Sequence, residues 1–214
     1  MGTIIMLLLG FFSLAMINIS FTNGSSVNIG CIESEKQALL IFKQHLVDPA
    51  NRLVSWVHDE DCCRWDGVVC DDVTGHVLQL QLRHPTLDYE ATDVEYFANE
   101  RIKLGGKINH SLLNLKHLSY LDLSNNNFEG NEIPKFFGSM GRLRYLNLSH
   151  SVFGGLIPSQ LGNLSNLQYL NLNCHWHGEK FVENNLSHSQ LGNLSNLQYF
   201  DQIGRASCRE RVCT

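Results

Sequence analysis

Four cysteines, Cys31, Cys62, Cys63 and Cys70, cluster in the first third of the chain. Thiols in such a cluster can bind a zinc ion or form two disulfide bonds, and four cysteines allow three pairings. The adjacent residues Cys62 and Cys63 cannot easily both reach one tetrahedral ion. The cluster therefore favours disulfides, which form and persist in oxidising compartments.

A second group with metal-binding chemistry is Cys174-His175-Trp176-His177. Two imidazoles and a thiol could bind copper or zinc, but a variable loop explains the same residues, and we favour the loop. The sequence has no His-Glu-x-x-His motif, nucleophile elbow or phosphate-binding loop. We therefore expect no enzymatic activity, no metal and no cofactor.

The first residues of the chain predict secretion. Ile4 to Ala15 is almost unbroken apolar sequence, and a run of small polar residues follows it. This apolar run is shorter than the roughly 20 residues that a transmembrane helix needs. We predict a signal peptide over 1–24, with an uncleaved anchor from Ile4 to Phe21 as the alternative. No later stretch predicts a membrane span, so we expect a secreted or cell-surface protein.

A repeat of about two dozen residues follows the cysteine cluster. Its clearest copies begin at Leu118, Leu143 and Leu167, at steps of 25 and 24 residues, and a fourth begins at Leu197. Each copy contains Leu-x-Leu or a close variant, whose alternate side chains point to opposite faces of a strand. One coil cannot bury its apolar face alone, so the period predicts stacked coils with a parallel sheet and a continuous apolar core.

The repeats resemble the plant extracellular leucine-rich repeat, whose pattern is L-x-x-L-x-x-L-x-L-S-x-N-x-L-x-G-x-I-P. The resemblance covers roughly residues 31–200 and implies an α/β solenoid, a fragment of a leucine-rich-repeat horseshoe with a helical, disulfide-bonded N-terminal cap. It implies a cap over 28–70 and about four to five repeats over 76–200. It also implies bridges from Cys31 to Cys62 and from Cys63 to Cys70.

Within the cap, the sequence from Glu35 to His45 predicts a helix. Ser34 and Gln37 have the spacing of a capping box at its start. The apolar residues of this segment recur at helical spacing. We expect the buried face to contain Ala38, Leu39, Phe42 and Leu46.

The outward side chains of the repeat strands form the expected ligand-binding surface, because the inward ones fill the core. The candidates are Tyr120, Asp122, Asn125, Tyr145, Asn147, His150, Tyr169, Asn171 and Asn173. The tyrosines, with Tyr199, fall in one column. Such a column suits peptide or sugar recognition, although stacked tyrosines also stiffen a sheet as cross-strand neighbours. Glycosylation sequons occur at Asn23, Asn109, Asn147, Asn163, Asn185 and Asn193.

The chain departs from the repeat pattern at several places. The asparagine of the turn inside each repeat is present as Asn126, but Ser151 and His175 replace it later, so we expect looser structure near 173–186. The acidic segment 84–103 forms an insertion in the first repeat, and Asn109 stands where proline is expected.

Two features of the last residues concern the gene rather than the fold. Ser159 to Tyr169 recurs without change as Ser189 to Tyr199, which indicates recent duplication or an assembly error. Residues 202–214 contain no leucine, and we interpret them as foreign or out-of-frame sequence, with a native tail as the alternative. An uncapped solenoid exposes apolar surface, so we expect a truncated product of low stability.

The resemblance implies the ligand-binding portion of a receptor-like protein of plant defence or development, for which we expect a protein, peptide or glycan ligand. A co-receptor kinase is an expected partner of the full-length protein. The alternative is a secreted inhibitor similar to the polygalacturonase inhibitors, but these have about ten repeats and a C-terminal cysteine cap. The net charge of -5 gives no indication of nucleic-acid binding.

Overall fold

The computed structural model describes residues 30–86, 92–173, 182–183 and 194–201. The predicted signal peptide, the segment Cys174 to His177, the sequons at Asn23, Asn185 and Asn193, and the tail 202–214 lie outside the described residues.

The cap is built around helix α1 (Glu33–Gln44). Ala38, Leu39 and Phe42 are at most 1% exposed, on the face that their spacing predicts, whereas Leu46 is partly buried and begins a strand. The predicted capping box is wrong. The helix begins before Ser34, with Ile32 as the N-cap and no side-chain cap, so Ser34 is already in the first turn.

Disulfides and aromatic packing hold the cap together. Cys31 is bonded to Cys62 and Cys63 to Cys70, the pairs that the resemblance implies. Trp56 and Trp65 stack with their ring centroids 5.4 Å apart and are both almost fully buried. The buried residues of the cap and of the repeats form one continuous apolar core.

The main sheet joins the cap to the repeats. Its strand order is β2 (Val68–Cys70), β3 (Val77–Gln81), β5 (Tyr120–Asp122), β6 (Tyr145–Asn147), β8 (Tyr169–Asn171) and β10 (Tyr199–Asp201). The cap strand β2 pairs antiparallel with β3, and every later pair is parallel. The register aligns the inward leucines Leu80, Leu121, Leu146 and Leu170, which are all 0% exposed.

The far side of each coil returns through a short 3₁₀-helix. These helices span His110–Asn114, Lys135–Ser139 and Ser159–Asn163. They bury Leu112, Phe137 and Leu161 against the strand leucines. Short strand pairs β1–β4 (Leu46–Val47 with Gly105–Gly106) and β7–β9 (Gly155–Leu156 with Val182–Glu183) add further links. The predicted leucine-rich-repeat solenoid is confirmed.

The insertion in the first repeat contains helix α2 (Asp93–Glu100), which the sequence analysis did not predict. Thr92 and Glu95 form a complete capping box at its start. The helix is tied to the repeats through Asn99, whose Oδ1 lies 2.8 Å from His84 Nε2. His84, the first residue of the insertion, is itself only 3% exposed, and its carbonyl oxygen accepts a hydrogen bond from Asn125 in the turn after β5.

The turn after β5 depends on one buried polar side chain. Asn126 is 0% exposed, and its Nδ2 donates to the carbonyl oxygens of Leu82, Leu123 and Ser124 at 2.8, 2.9 and 3.2 Å. The cap contributes as well, because Arg52 Nη1 donates to Asn126 Oδ1 at 3.0 Å. These bonds connect the turn after β5 to the carbonyls of Leu82 in the preceding coil and of Leu123 and Ser124 in the same coil.

Ser151 takes over part of this role in the next coil. Its hydroxyl donates to Leu123 O at 2.6 Å and accepts from the backbone N–H of Asn126 at 3.3 Å. Leu123 O and Leu82 O are equivalent positions of successive coils. Ser151 therefore binds the carbonyl of the preceding coil, as Asn126 does. The described turn at Ser151 is therefore not left without a partner, and the equivalent His175 lies outside the described residues.

Replacement of Asn126 tests this turn. We predict that Asn126→Ala lowers the free energy of unfolding by about 2–4 kcal/mol, because it removes a fully buried side chain together with its hydrogen bonds to Arg52 and to three carbonyl oxygens. Asn126→Ser should lose about half as much, since a serine can make the bond that Ser151 makes. Urea unfolding followed by circular dichroism measures both values, and equal losses for the two variants would contradict the account.

Candidate ligand-binding face

The most regular feature of the outward face is a column of four tyrosines. The ring centroids of Tyr120 and Tyr145 are 4.0 Å apart, those of Tyr145 and Tyr169 are 4.2 Å apart, and those of Tyr169 and Tyr199 are 4.4 Å apart. Neighbouring rings are tilted by at most 8°. The column follows directly from the in-register pairing of the strands.

This stacking determines what the tyrosines can offer a ligand. Each inner ring is covered on both faces by its neighbours, so the inner rings present edges and hydroxyl groups, and a sugar cannot stack on their faces. Burial and the Tyr120 hydroxyl raise the pKa of Tyr145. Its hydroxyl therefore remains protonated at neutral pH and can both donate and accept a hydrogen bond.

The polar residues two positions after the tyrosines end the strands. Asp122 Oδ1 accepts from the Ser124 amide at 2.9 Å and from its hydroxyl at 2.6 Å. Asn147 Oδ1 accepts from the Ser149 amide at 3.1 Å and from its hydroxyl at 2.8 Å. Local bonds of this kind are typical of Asx turns. The same side chains therefore set the direction of the chain after each strand.

These bonds correct an expectation from the sequence. Alternation along the strand predicted that Asp122 and Asn147 stand out towards a ligand, but they are 5% and 7% exposed. Asn147 Nδ2 also lies 3.5 Å from Asp122 Oδ2 and 3.3 Å from Tyr145 Oη. Their polar atoms are mostly engaged within the protein.

The residues expected just beyond the strands are in turns. Asn125 and His150 have φ angles of 59° and 55°, the left-handed region in which asparagine and histidine are enriched. Asn125 is 8% exposed, and its Nδ2 donates to His84 O at 3.3 Å. The strand alternation predicted neither the turn conformation nor the burial of Asn125.

Of the remaining candidates, Asn171 and Asn173 lie at the end of β8 and are half-buried. Asn173 donates through its amide to Asn171 Oδ1 at 2.9 Å and through Nδ2 to Asp201 Oδ2 at 3.2 Å. They extend the polar column of Asp122 and Asn147 towards the last described strand.

The residues directly before the tyrosines were not among the candidates expected from the sequence. Arg144, Gln168 and Gln198 are exposed, and each precedes a tyrosine of the column. Their backbones pair with neighbouring coils, because Arg144 O accepts the amides of Gln168 and Tyr169. The repeated pattern Leu-x-Tyr would have identified them. One exposed arginine and two exposed glutamines therefore directly precede tyrosines of the column in the chain.

Comparisons with known proteins agree with this architecture. Residues 32–71 match the family model of the leucine rich repeat N-terminal domain, and residues 117–140 and 142–164 match that of the leucine rich repeat. Two receptor-like proteins of Solanum lycopersicum are similar. EIX2 is 49% identical over 127 residues, and EIX1 is 45% identical over 148 residues. The chain is similar to the leucine-rich-repeat receptor-like proteins of plants.

The match covers only a small part of these relatives. It takes in 59% of this chain and 12% of EIX2, and 68% of this chain and 14% of EIX1. Among solved structures, a chain of the BIR3–SERK2 complex from Arabidopsis thaliana superposes with a TM-score of 0.58 at 28% sequence identity. That match covers 77% of this chain and 78% of the other.

The described residues contain no helix that is long and apolar enough to cross a membrane. Three of the chain's sequons fall in the described residues and differ in their surroundings. Asn163 is exposed on the 3₁₀-helix side. Asn109 Nδ2 contacts Ile41 O at 3.1 Å and His45 Nδ1 at 2.7 Å, and Asn147 is buried in the sheet.

We predict a glycan on Asn163, and none on Asn109 or Asn147 in the folded, secreted protein. A glycan replaces a hydrogen of Nδ2, and at the latter two positions it would displace the contacts above. Intact-mass measurement should therefore show the loss of one glycan in Asn163→Gln and Ser165→Ala, and no loss in Ser165→Thr. A glycan lost from Asn147→Gln would contradict this assignment.

The tyrosine column also predicts a pH dependence. A tyrosine whose pKa is raised in the folded state contributes stability that is present below its unfolded value of about 10 and is lost as the pH rises. We predict that the urea midpoint falls as the pH rises above about 10, because these tyrosines ionise more readily in the unfolded chain than in the folded one. Tyr145→Phe should fall less steeply, and an unchanged slope would contradict the burial of this hydroxyl.

Proposed function

We propose that this chain is the extracellular ligand-recognition part of a receptor-like protein and binds a protein, peptide or glycan on the outward face of its main sheet. The observation that carries the proposal is the stacked row of tyrosine edges, three of which directly follow the exposed residues Arg144, Gln168 and Gln198 in the chain. The face is flanked by residues whose polar atoms are already engaged. The groups left for a ligand are therefore the tyrosine edges and hydroxyls, in one narrow strip.

The rigidity of this strip supports a binding role. The strands below it are in register, and their inward leucines are fully buried. The tyrosines are fixed by their neighbours, so they lose little conformational entropy when a ligand binds. Phenol hydroxyls can donate and accept hydrogen bonds, and Arg144 can bind a carboxylate in a bidentate manner.

The comparisons support a protein partner. The BIR3–SERK2 structure is a complex of two proteins, and one of its chains has this fold. By analogy, the longer protein would recruit a co-receptor kinase after ligand binding and would act in defence or developmental signalling. The two disulfides of the cap fit the oxidising extracellular environment that this role needs.

The alternative of a secreted hydrolase inhibitor is less well supported. The curated relatives reported above are receptor-like proteins. The accessible strip is also dominated by neutral groups, and nothing in its geometry favours an enzyme as the ligand. We therefore retain recognition for signalling as the proposed function.

A matched pair of arginines tests the binding face. Peptide-display libraries and arrays of cell-wall oligosaccharides are screened with the wild-type chain, and the affinity of each binder is then measured for variants. Arg144→Ala should weaken binding by about tenfold or more, as expected for an arginine near the centre of an interface. Tyr145→Phe should also weaken it, because it removes a hydroxyl and keeps the stacking.

The control is Arg142→Ala, since Arg142 is also exposed but lies in the turn before β6. It should leave the affinity unchanged. Equal losses for Arg142→Ala and Arg144→Ala, or no binder in either screen, would contradict the proposal.

A further inference from the structure

Three titratable side chains meet where the cap joins the first two coils. Glu35 lies on α1, His76 directly precedes β3, and His117 lies in the turn before β5. Glu35 is 2% exposed. Its Oε1 lies 2.9 Å from His76 Nδ1 and 3.9 Å from His117 Nδ1. One carboxylate oxygen and two imidazole nitrogens thus lie within 4.8 Å of one another.

The contacts of this cluster are incomplete. His117 Nδ1 is buried and has no hydrogen-bond partner, although it faces Glu35 Oε1. Their separation is too long for a hydrogen bond. It is close to the roughly 3.3 Å that separates two donor atoms of one tetrahedral zinc ion with bonds of about 2.0–2.1 Å. A small movement of either group would bring both atoms to one ion.

We propose that Glu35, His76 and His117 bind a zinc ion through Glu35 Oε1 and the two Nδ1 atoms. Two histidines and a carboxylate are a donor set that suits zinc, with a fourth position left for water. The two histidine side chains are 29% and 32% exposed, so an ion and its water can enter from solvent.

The carboxylate is already held in place for this role. Glu35 Oε2 accepts from the Val77 amide at 2.7 Å, which leaves Oε1 directed at the histidines. Hydrogen bonds to the second atom of a ligand orient it and increase metal affinity. This bond needs no change when the ion binds.

The two imidazoles must adjust. Their rings stack with centroids 3.7 Å apart and planes 28° apart, whereas an ion has to lie near the plane of each ring. A rotation of the His117 ring would bring its plane towards the ion, and it would break no hydrogen bond of His117 Nδ1. His76 exchanges its contact with Glu35 Oε1 for the metal bond, and the neutral ring then carries its proton on Nε2.

Such an ion would join the cap to two successive coils, so it stabilises the folded chain. We expect one zinc ion per chain in calorimetric titration of the full 214-residue protein. At zinc concentrations about 100-fold above the Kd, we expect the Tm to rise by about 5–10 °C relative to protein treated with EDTA.

Substitutions test whether zinc binds at this cluster or at histidines elsewhere in the chain. Glu35→Gln keeps an acceptor for the Val77 amide, and His117→Gln changes a partly exposed residue; each should weaken zinc binding by about tenfold or more. His58→Gln, in an exposed part of the cap, and the pair His175→Gln and His177→Gln should leave it unchanged.

X-ray absorption at the zinc edge should detect two imidazoles and a carboxylate. The proposal is overturned if zinc does not bind, if His117→Gln binds as tightly as the wild type, or if removal of His175 and His177 abolishes binding.

Discussion

The alignment of inward leucines is the constraint on which the rest of the molecule depends. Leu80, Leu121, Leu146 and Leu170 are paired across successive parallel strands and are excluded from water. Strand pairing fixes the distance between coils at about 4.8 Å. Every outward side chain inherits this spacing, and the tyrosine rings, which settle at 4.0–4.4 Å, are its most visible consequence.

The same constraint limits which outward residues can meet a ligand. Each repeat strand has only three residues, and the chain turns directly after it. The side chains of Asp122 and Asn147 stabilise these turns by accepting hydrogen bonds from backbone amides two residues later. These residues therefore serve the fold first. Fewer outward side chains remain accessible than strand alternation suggests, and the exposed residues Arg144 and Gln168 directly precede two of the tyrosines in the chain.

Much of this architecture could be predicted from local patterns. The leucine period gave the stacking and its register, and the spacing of apolar residues gave the buried face of α1. Features that depend on contacts between distant residues could not be predicted. Ser151 replaces an asparagine because Leu123 O lies within its reach, and Glu35, His76 and His117 meet only after the coils have stacked. Helix α2 lay in a segment too irregular for the repeat pattern to describe.

The stacking itself can be tested most directly by nuclear Overhauser contacts between leucine methyl groups assigned in the intact chain. The account predicts contacts from Leu121 to Leu146 and from Leu146 to Leu170, and none from Leu121 to Leu170. Contacts between Leu121 and Leu170, or none between Leu121 and Leu146, would contradict the solenoid and the binding face built on it.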